Sequence, residues 1–363
     1  MKLLACFLLL LTTSLGLAAQ EPPTRARDEL KGPVRTIESG TIDFVLKDGK
    51  RIEGTPRVAK ILKFDERGNR TEATTFDPDG GIAERMVYKY DALGRNTGSD
   101  EYYSLARKLV TNPRRRIYTL DHNGKVVEMI VYEADGSVGS GFKYKYDSKG
   151  NKVEDHFISW TGATILRTTY TYDAAGHLLT QTAYDAHDVV SWKTIDSYDS
   201  AGRRTDWAQY EKHVLRYRKL FKYDDKGRVT EEETFEFNAR PRVIFSHAPV
   251  PGKIVSTYDD KQRSKEIATY DTIGALKTRE VHIFDEHGNI VGWEIFNADG
   301  SARNFEISLY DKNKLVEKLA GKALNQNSYD SQGNWTKKVY LILPEGAKEP
   351  QPWRADYRNI TYY

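Results

Sequence analysis

The sequence predicts an all-β protein, a repetitive antiparallel β-hairpin meander curled into a spiral or barrel-like sheet. Three observations lead there. A five-residue device, clearest as Tyr146-Asp-Ser-Lys-Gly150, recurs from Phe64 to Gly333. Taking its aromatic position as an anchor gives 20 copies, of which 16 are followed by Asp or Asn and 14 have Gly four residues on, a true internal repeat. The stretches between copies, such as Ile165 to Tyr172 and Val126 to Tyr132, are rich in β-branched and aromatic residues and contain no proline.

The device itself reads as a turn. Asp at its first position hydrogen-bonds nearby backbone, and Gly supplies a positive φ where the next strand begins, so Asp-x-x-Gly is a hairpin turn with a glycine bulge. Anchor spacings alternate 12 and 14, so the unit is about 26 residues with two strands and two turns, as from Tyr146 to Tyr172 to Tyr198. Alternate turns therefore fall on opposite edges. Open twisted sheets rarely exceed about 10 strands without curling, so a meander twice that size is expected to wrap.

In chain order, residues 1–19 carry one Lys, an unbroken apolar run and a small-residue end, the pattern of a signal peptide. Residues 20–33 are polar with three prolines and read as a flexible leader. One β domain is expected over 34–363, with an N-terminal cap at 34–63, repeats over 64–334 and a C-terminal cap at 335–363, the caps covering the first and last edges. Two interruptions stand out. Asn112-Pro-Arg-Arg-Arg116 lengthens one unit, and its Arg114, Arg115 and Arg116 could hold phosphate or an acidic polysaccharide, although a solvated loop is the plainer reading. Asn238 to Val255, with His247 among three prolines, is a candidate binding loop because long insertions on repeat proteins often sit on the binding face. A further break of period is expected at Leu319 to Asn327.

Composition bounds the function. With 55 basic and 52 acidic residues the formal charge is +3, which selects neither nucleic acid nor membrane as partner. The sole Cys, Cys6, lies in the apolar leader, so neither a disulfide nor a cofactor is expected, and export to the periplasm or outside a bacterial cell is. No nucleophile elbow, phosphate-binding loop, HExxH or CxxC is present, and the eight His fit no zinc spacing. Most Asp are accounted for as turn residues, which leaves no catalytic residue to nominate. Tyr144 with Tyr146, and Tyr170 with Tyr172, lie two apart and share a strand face. Successive copies would build an aromatic ladder able to stack on sugar rings, or simply to pack across strands.

Tyr90-Asp-Ala-Leu-Gly-Arg95, Tyr172-Asp-Ala-Ala-Gly-His177, Tyr198-Asp-Ser-Ala-Gly-Arg203 and Tyr223-Asp-Asp-Lys-Gly-Arg228 resemble the YD repeats of the RHS family. The resemblance covers about Phe64 to Asn334, and the leader Leu30-Lys-Gly-Pro-Val34 and the ending Tyr357 to Tyr363 are similar to short exported bacterial YD-repeat proteins. It implies a β-sheet coiled into a shell and a secreted or surface setting, with toxin enclosure in large members and adhesion or carbohydrate contact in others. The regular double unit, the small size and the lack of a C-terminal toxin region depart from the large members. Asp77-Pro-Asp-Gly80 matches the motif that ends their cores but lies near the wrong end.

The expected function is therefore a non-catalytic binding or surface-interaction protein with a glycan or protein ligand. A polysaccharide- or cell-wall-acting hydrolase and a structural shell or toxin-associated component are the alternatives. Two carboxylates facing each other at roughly 5 to 10 Å would favour the hydrolase. Because repeat sheets contact mainly their neighbours, a strained Gly176 variant is expected to loosen the units around Tyr172 and leave the strands near Phe284 protected.

Overall fold

The computed structural model describes residues 28–105, 108–237, 252–303, 305–311 and 314–363. The expected signal peptide, most of the leader, and the Asn238 loop with His247 lie outside the described residues.

The device folds as its chemistry dictates. At Asp147, Gly150 N–H donates to the Asp147 carbonyl at 2.9 Å, and Asp147 N–H donates to the Asn151 carbonyl at 2.9 Å. The Asp147 carboxylate accepts the Asn151 N–H at 2.7 Å. Gly150 has φ +85°, and the register of the flanking strands slips by one residue between Lys145 and Tyr146. This is the glycine-bulged turn. The slip recurs at the equivalent turns, including Tyr172 and Tyr198.

The described residues form 26 strands and no helix, linked by antiparallel pairing. Consecutive strands pair through the repeats, so Thr164–Tyr172 lies between Lys152–Ser159 and Leu178–Tyr184. The terminal segments do not form two separate caps. Val34–Lys47 pairs with Arg57–Phe64 on one side and with the last strand, Gln351–Tyr362, on the other, from Thr36 opposite Thr361 to Asp43 opposite Arg354. That pairing closes a 22-strand barrel, which removes the open edges that caps would have covered. The expected break of period at Leu319 to Asn327 falls within one long strand, Lys314–Tyr329, shared between Phe305–Asp311 and Trp335–Pro344.

Apolar burial concentrates at the closing seam. Leu30, Val34, Ile37 and Phe64 form one cluster, with Leu62, Ile360 and Tyr362 against it, and Ile42, Ala355 and Tyr357 form a second. Each such Val or Ile contributes about 1.5–3 kcal/mol when fully withdrawn from water. Elsewhere burial is patchier: Thr168, Ala183 and Asp196 are buried, Arg114–Leu120 alternates half-buried with exposed positions, and Arg204–Glu211 is half-buried throughout. Both faces also carry ion pairs, Lys145–Glu154 (2.6 Å) and Lys222–Glu231 (2.8 Å) on one, Lys219–Glu232 (2.5 Å) and Arg204–Asp196 (2.7 Å) on the other. Among the described residues no helix is long and apolar enough to cross a membrane.

The two rims differ. On the first, carrying the turns at Asp91, Asp147, Asp173 and Asp199, each anchor Tyr hydroxyl reaches back one unit. Tyr146 donates to the Val126 carbonyl (2.9 Å), Tyr172 to Lys152 (2.8 Å) and Tyr198 to Leu178 (2.9 Å). At several of these turns the residue after the glycine lies over the next Tyr ring, Lys125 on Tyr146 (4.9 Å), His177 on Tyr198 (4.9 Å) and Arg203 on Tyr223 (5.0 Å). Lys149 and Arg203 also donate to carbonyls of the neighbouring turns. The second rim carries the turns at Glu133, Ser159, Asp185 and Asp271, and a Cβ added at its Gly136, Gly162 or Gly274 would meet nothing within 4 Å, as at Gly176 and Gly288 on the first rim.

Candidate functional site

The bulge decides which residues face each other across each hairpin. With one residue looped out, the position two before an anchor lies directly opposite the position nine after it. Tyr88 therefore faces Ser99, Tyr144 faces Asp155 and Tyr170 faces Gln181. Further round, Asp196 faces Trp207, Phe221 faces Glu232 and His282 faces Trp293. Each of these six pairs joins one aromatic ring to one polar group, on one face and at one height of the wall. Four of them, from Tyr144–Asp155 to Phe221–Glu232, follow one another every two strands, about 10 Å apart at ~4.8 Å per strand, whereas the same positions hold Leu62–Ala73, Tyr118–Met129, Ser256–Ile267 and Asn327–Lys338 elsewhere.

Hydrogen bonds and cations knit the belt. Tyr170 donates to Asp155 at 2.7 Å and is reached by the Gln181 amide at 3.5 Å. Lys152 lies 2.7 Å from Asp155 and sits over both Tyr144 (5.7 Å) and Tyr170 (4.4 Å). Burial, reinforced by the charge of Asp155, pushes both phenols above the ordinary tyrosine range. Trp293 donates to Glu280 at 3.2 Å and meets His282 edge-on at 5.8 Å. Asp196 is 4% exposed. Arg204 Nε lies 2.7 Å from its Oδ1, but off the hydrogen-bonding direction, so the oxygen has charge compensation without a donor. Burial raises the Asp196 pKa, with Arg204 opposing and Asp206 adding to the rise.

The expected site residues fare differently. Tyr144 and Tyr170 belong to the belt, but a lysine interleaves them, so there is no unbroken aromatic ladder. Tyr146 and Tyr172 are the rim clasps, their hydroxyls spent on backbone carbonyls. Arg114, Arg115 and Arg116 occupy a strand, Arg114–Leu120, and not the expected loop. Strand alternation sends Arg115 to the face opposite its two neighbours. Each has its own partner: Arg114 pairs with Glu133 (3.4 Å), Arg116 with Glu101 (3.0 Å), and Arg115 lies over Tyr132 (5.8 Å). They do not converge on one point. The sequence reading missed Asp155, Gln181, Asp196, Trp207, Glu232 and Trp293; counting nine on from the anchors would have found all but Asp196, which stands two before Tyr198.

The turn carboxylates are committed to structure. Asp91 and Asp199 are held below the usual aspartate range first by the backbone N–H of Arg95 and Arg203, against a burial effect, and then by the same residues' guanidinium groups. Among the described residues no group of His, Cys, Asp and Glu is arranged to hold a metal ion.

No family model and no curated protein matches the chain. Solved structures match its sheet. The Photorhabdus luminescens Tc holotoxin pore is 13% identical over 85% of this chain and 21% of that one, with a TM-score of 0.26. A TcdB2–TccC3 structure is 10% identical over 81% of this chain and 20% of that one, also at 0.26. A porin-like protein from Bacteroides uniformis is 11% identical over 91% of this chain and 99% of that one, at 0.20. The chain thus spans about a fifth of the toxin chains it matches. Overlaps at these TM-scores are of sheet on sheet and say nothing of function.

Proposed function

We propose that the chain is an exported, non-catalytic binding shell of the RHS/YD-repeat type that contacts a carbohydrate polymer along the aromatic–polar belt. The observation that carries this reading is the belt's composition and period. An aromatic ring beside a carboxylate, carboxamide or hydroxyl is what stacking on a sugar ring and bonding its hydroxyls require, and four successive units from Tyr144 to Glu232 carry such a pair about every 10 Å. A polymer with a repeating, polyhydroxylated backbone matches such a row.

The hydrolase reading has less support. The belt's carboxylates Asp155, Asp196 and Glu232 lie three strands apart in turn. That is about 14 Å, wider than the roughly 5–10 Å that glycoside hydrolysis uses. A plain structural shell remains the second reading, favoured by barrel closure.

The test is a glycan array followed by calorimetry on the mature protein, with Trp207→Ala and Trp293→Ala. Each substitution should weaken binding about tenfold or more, as loss of a central aromatic anchor does, while circular dichroism stays unchanged. A folded wild-type protein that binds no polysaccharide on the array sinks the proposal.

A further inference from the structure

One sector of the wall inverts the chemistry of the belt. Beside Tyr144, Lys152 stands six residues after the anchor Tyr146 and lies over Tyr170, while Asp155, nine after that anchor, carries the negative charge. In the last unit the same offsets from Tyr329 hold Trp335 and Lys338. Arg358 takes the place of Tyr170, two residues beyond the partner of Lys338 as Tyr170 is two beyond the partner of Asp155. Cation and ring have changed strands, and the carboxylate has become an amine. The Arg358 guanidinium lies 3.8 Å from the centre of the Trp335 ring and the Lys338 amine 4.8 Å from it.

Two cations therefore share one ring, without a counter-charge. Among the described residues Arg358 is the only half-buried arginine with neither a carboxylate within 4 Å nor a hydrogen-bond acceptor, and Lys338, also half-buried, has neither. The carboxylates of the sector are held elsewhere. Asp356, opposite Lys338, accepts from Tyr340 (2.7 Å) and Arg354 (3.1 Å), Asp285 from Tyr329 and Asn327, and Asp28 from Arg70. Burial lowers the pKa of both cations; Arg358 adds to the fall at Lys338, which Asp356 and Asp285 oppose, and Asp28 opposes it at Arg358. A ring face attracts a cation but supplies no negative charge. Partly buried charges of one sign are costly until an opposite charge joins them.

We infer that this sector binds an oxyanion between Arg358 and Lys338. The guanidinium offers a flat fork that takes two oxygens of one acid group, and the amine adds a point charge. The strand of Trp293 pairs directly with the strand of Asn327, so the site lies next round the wall from the His282–Trp293 pair. Resting on the carbohydrate reading above, the oxyanion is the carboxylate of an acidic sugar unit in the polymer.

Calorimetry of the mature protein with oligogalacturonate and with neutral galactan, and thermal melts in sulfate, compare wild type with the double variant Lys338→Gln, Arg358→Gln. Oligogalacturonate should bind wild type, and the double variant should bind it about tenfold or more weakly, with any galactan affinity unchanged. Sulfate stabilises folded proteins generally by exclusion, so the readout is a difference. At about 50 mM it should raise the Tm of wild type by about 2 °C more than that of the double variant. Circular dichroism establishes folding, and Lys338→Gln alone serves if the double variant does not fold. Equal sulfate shifts and equal oligogalacturonate affinities in the two proteins overturn the anion site. A sulfate difference without binding of either polymer upholds the anion site and sinks the carbohydrate reading. Galactan bound as tightly as oligogalacturonate, with no sulfate difference, does the reverse.

Discussion

Gly176 and Gly98 both have positive φ, +91° and +148°, yet alanine should cost very different amounts at the two. At Gly176 an added Cβ meets nothing within 4 Å, so only the backbone preference of an L-residue is lost, about 1–2 kcal/mol. At Gly98 the Cβ would lie 2.1 Å from the Arg116 carbonyl oxygen on the paired strand. That overlap cannot be relieved by turning a side chain. It adds roughly 1–3 kcal/mol of overpacking, for a total of about 2–5 kcal/mol. Urea unfolding followed by Trp fluorescence, at a slope of about 3 kcal/mol per molar, should show midpoints lowered by about 0.5 M and about 0.7–1.7 M respectively. Closure changes the second readout. In an open repeat sheet Gly176→Ala would loosen only the units around Tyr172. In a closed barrel every strand has two partners, and opening anywhere creates two edges, so hydrogen exchange should accelerate together around Tyr172 and Phe284. Acceleration confined to the Tyr172 units would mean that the seam between Val34–Lys47 and Gln351–Tyr362 does not hold. Equal urea shifts for the two variants would mean that the strands at Gly98 are not in close approach.

Three further outcomes follow from single side chains. Tyr172→Phe removes a hydroxyl donor to the Lys152 carbonyl and should cost about 1 kcal/mol, read as a lower urea midpoint with unchanged slope. Asp285 is opposed by burial, but hydrogen bonds from Tyr329 (2.6 Å) and Asn327 (3.0 Å) hold its pKa at about 2. A folded pKa below the unfolded one stabilises above the unfolded value and is lost as pH falls. Acid titration should therefore show stability falling between about pH 4 and 2, and Asp285→Asn should flatten that limb. Asp196 has the opposite sign. Its raised folded pKa favours the protonated fold at low pH and costs stability as pH rises through it, so Asp196→Asn should be more stable than wild type at neutral pH in thermal melts. A less stable Asn variant would show that the Arg204 pair outweighs the burial of the carboxylate.

Much of the architecture was legible because the device is local chemistry. Asp147 and Gly150 make the same turn wherever they stand, so strand number, antiparallel order and the two classes of rim follow from spacing. Closure was not, because it depends on the last strand finding the first. That pairing rests on Ile37 opposite Ile360 and on packing by Leu30, positions that carry no repeat signature. Arg114 to Arg116 misled as a basic cluster because adjacency in sequence is opposition in a strand. Tyr144 and Tyr146 looked alike in sequence, and the one-residue bulge separates their roles, aiming Tyr144 at Asp155 while Tyr146 binds the backbone of the previous unit.

Function in such a wall belongs where the repeat is free to vary. The anchor Tyr, the turn Asp and the turn Gly are fixed by the hydrogen bonds each must make, and substituting any of them removes a defined contact. The pair formed two before and nine after each anchor has no such duty: the same geometry accepts Tyr with Asp155, Tyr with Gln181, Asp196 with Trp207, and His282 with Trp293. The four consecutive pairs from Tyr144–Asp155 to Phe221–Glu232 keep an aromatic face beside a hydrogen-bonding group, although the residues exchange strands between Tyr144–Asp155 and Asp196–Trp207, while Leu62–Ala73, Tyr118–Met129, Ser256–Ile267 and Asn327–Lys338 at the same places do not. Sheet stability alone would be served as well by two β-branched residues at each such pair. The run is confined to one sector of the wall, so Trp207 within it and Trp293 further round, and not the rim tyrosines, are the substitutions that test the proposed carbohydrate contact first.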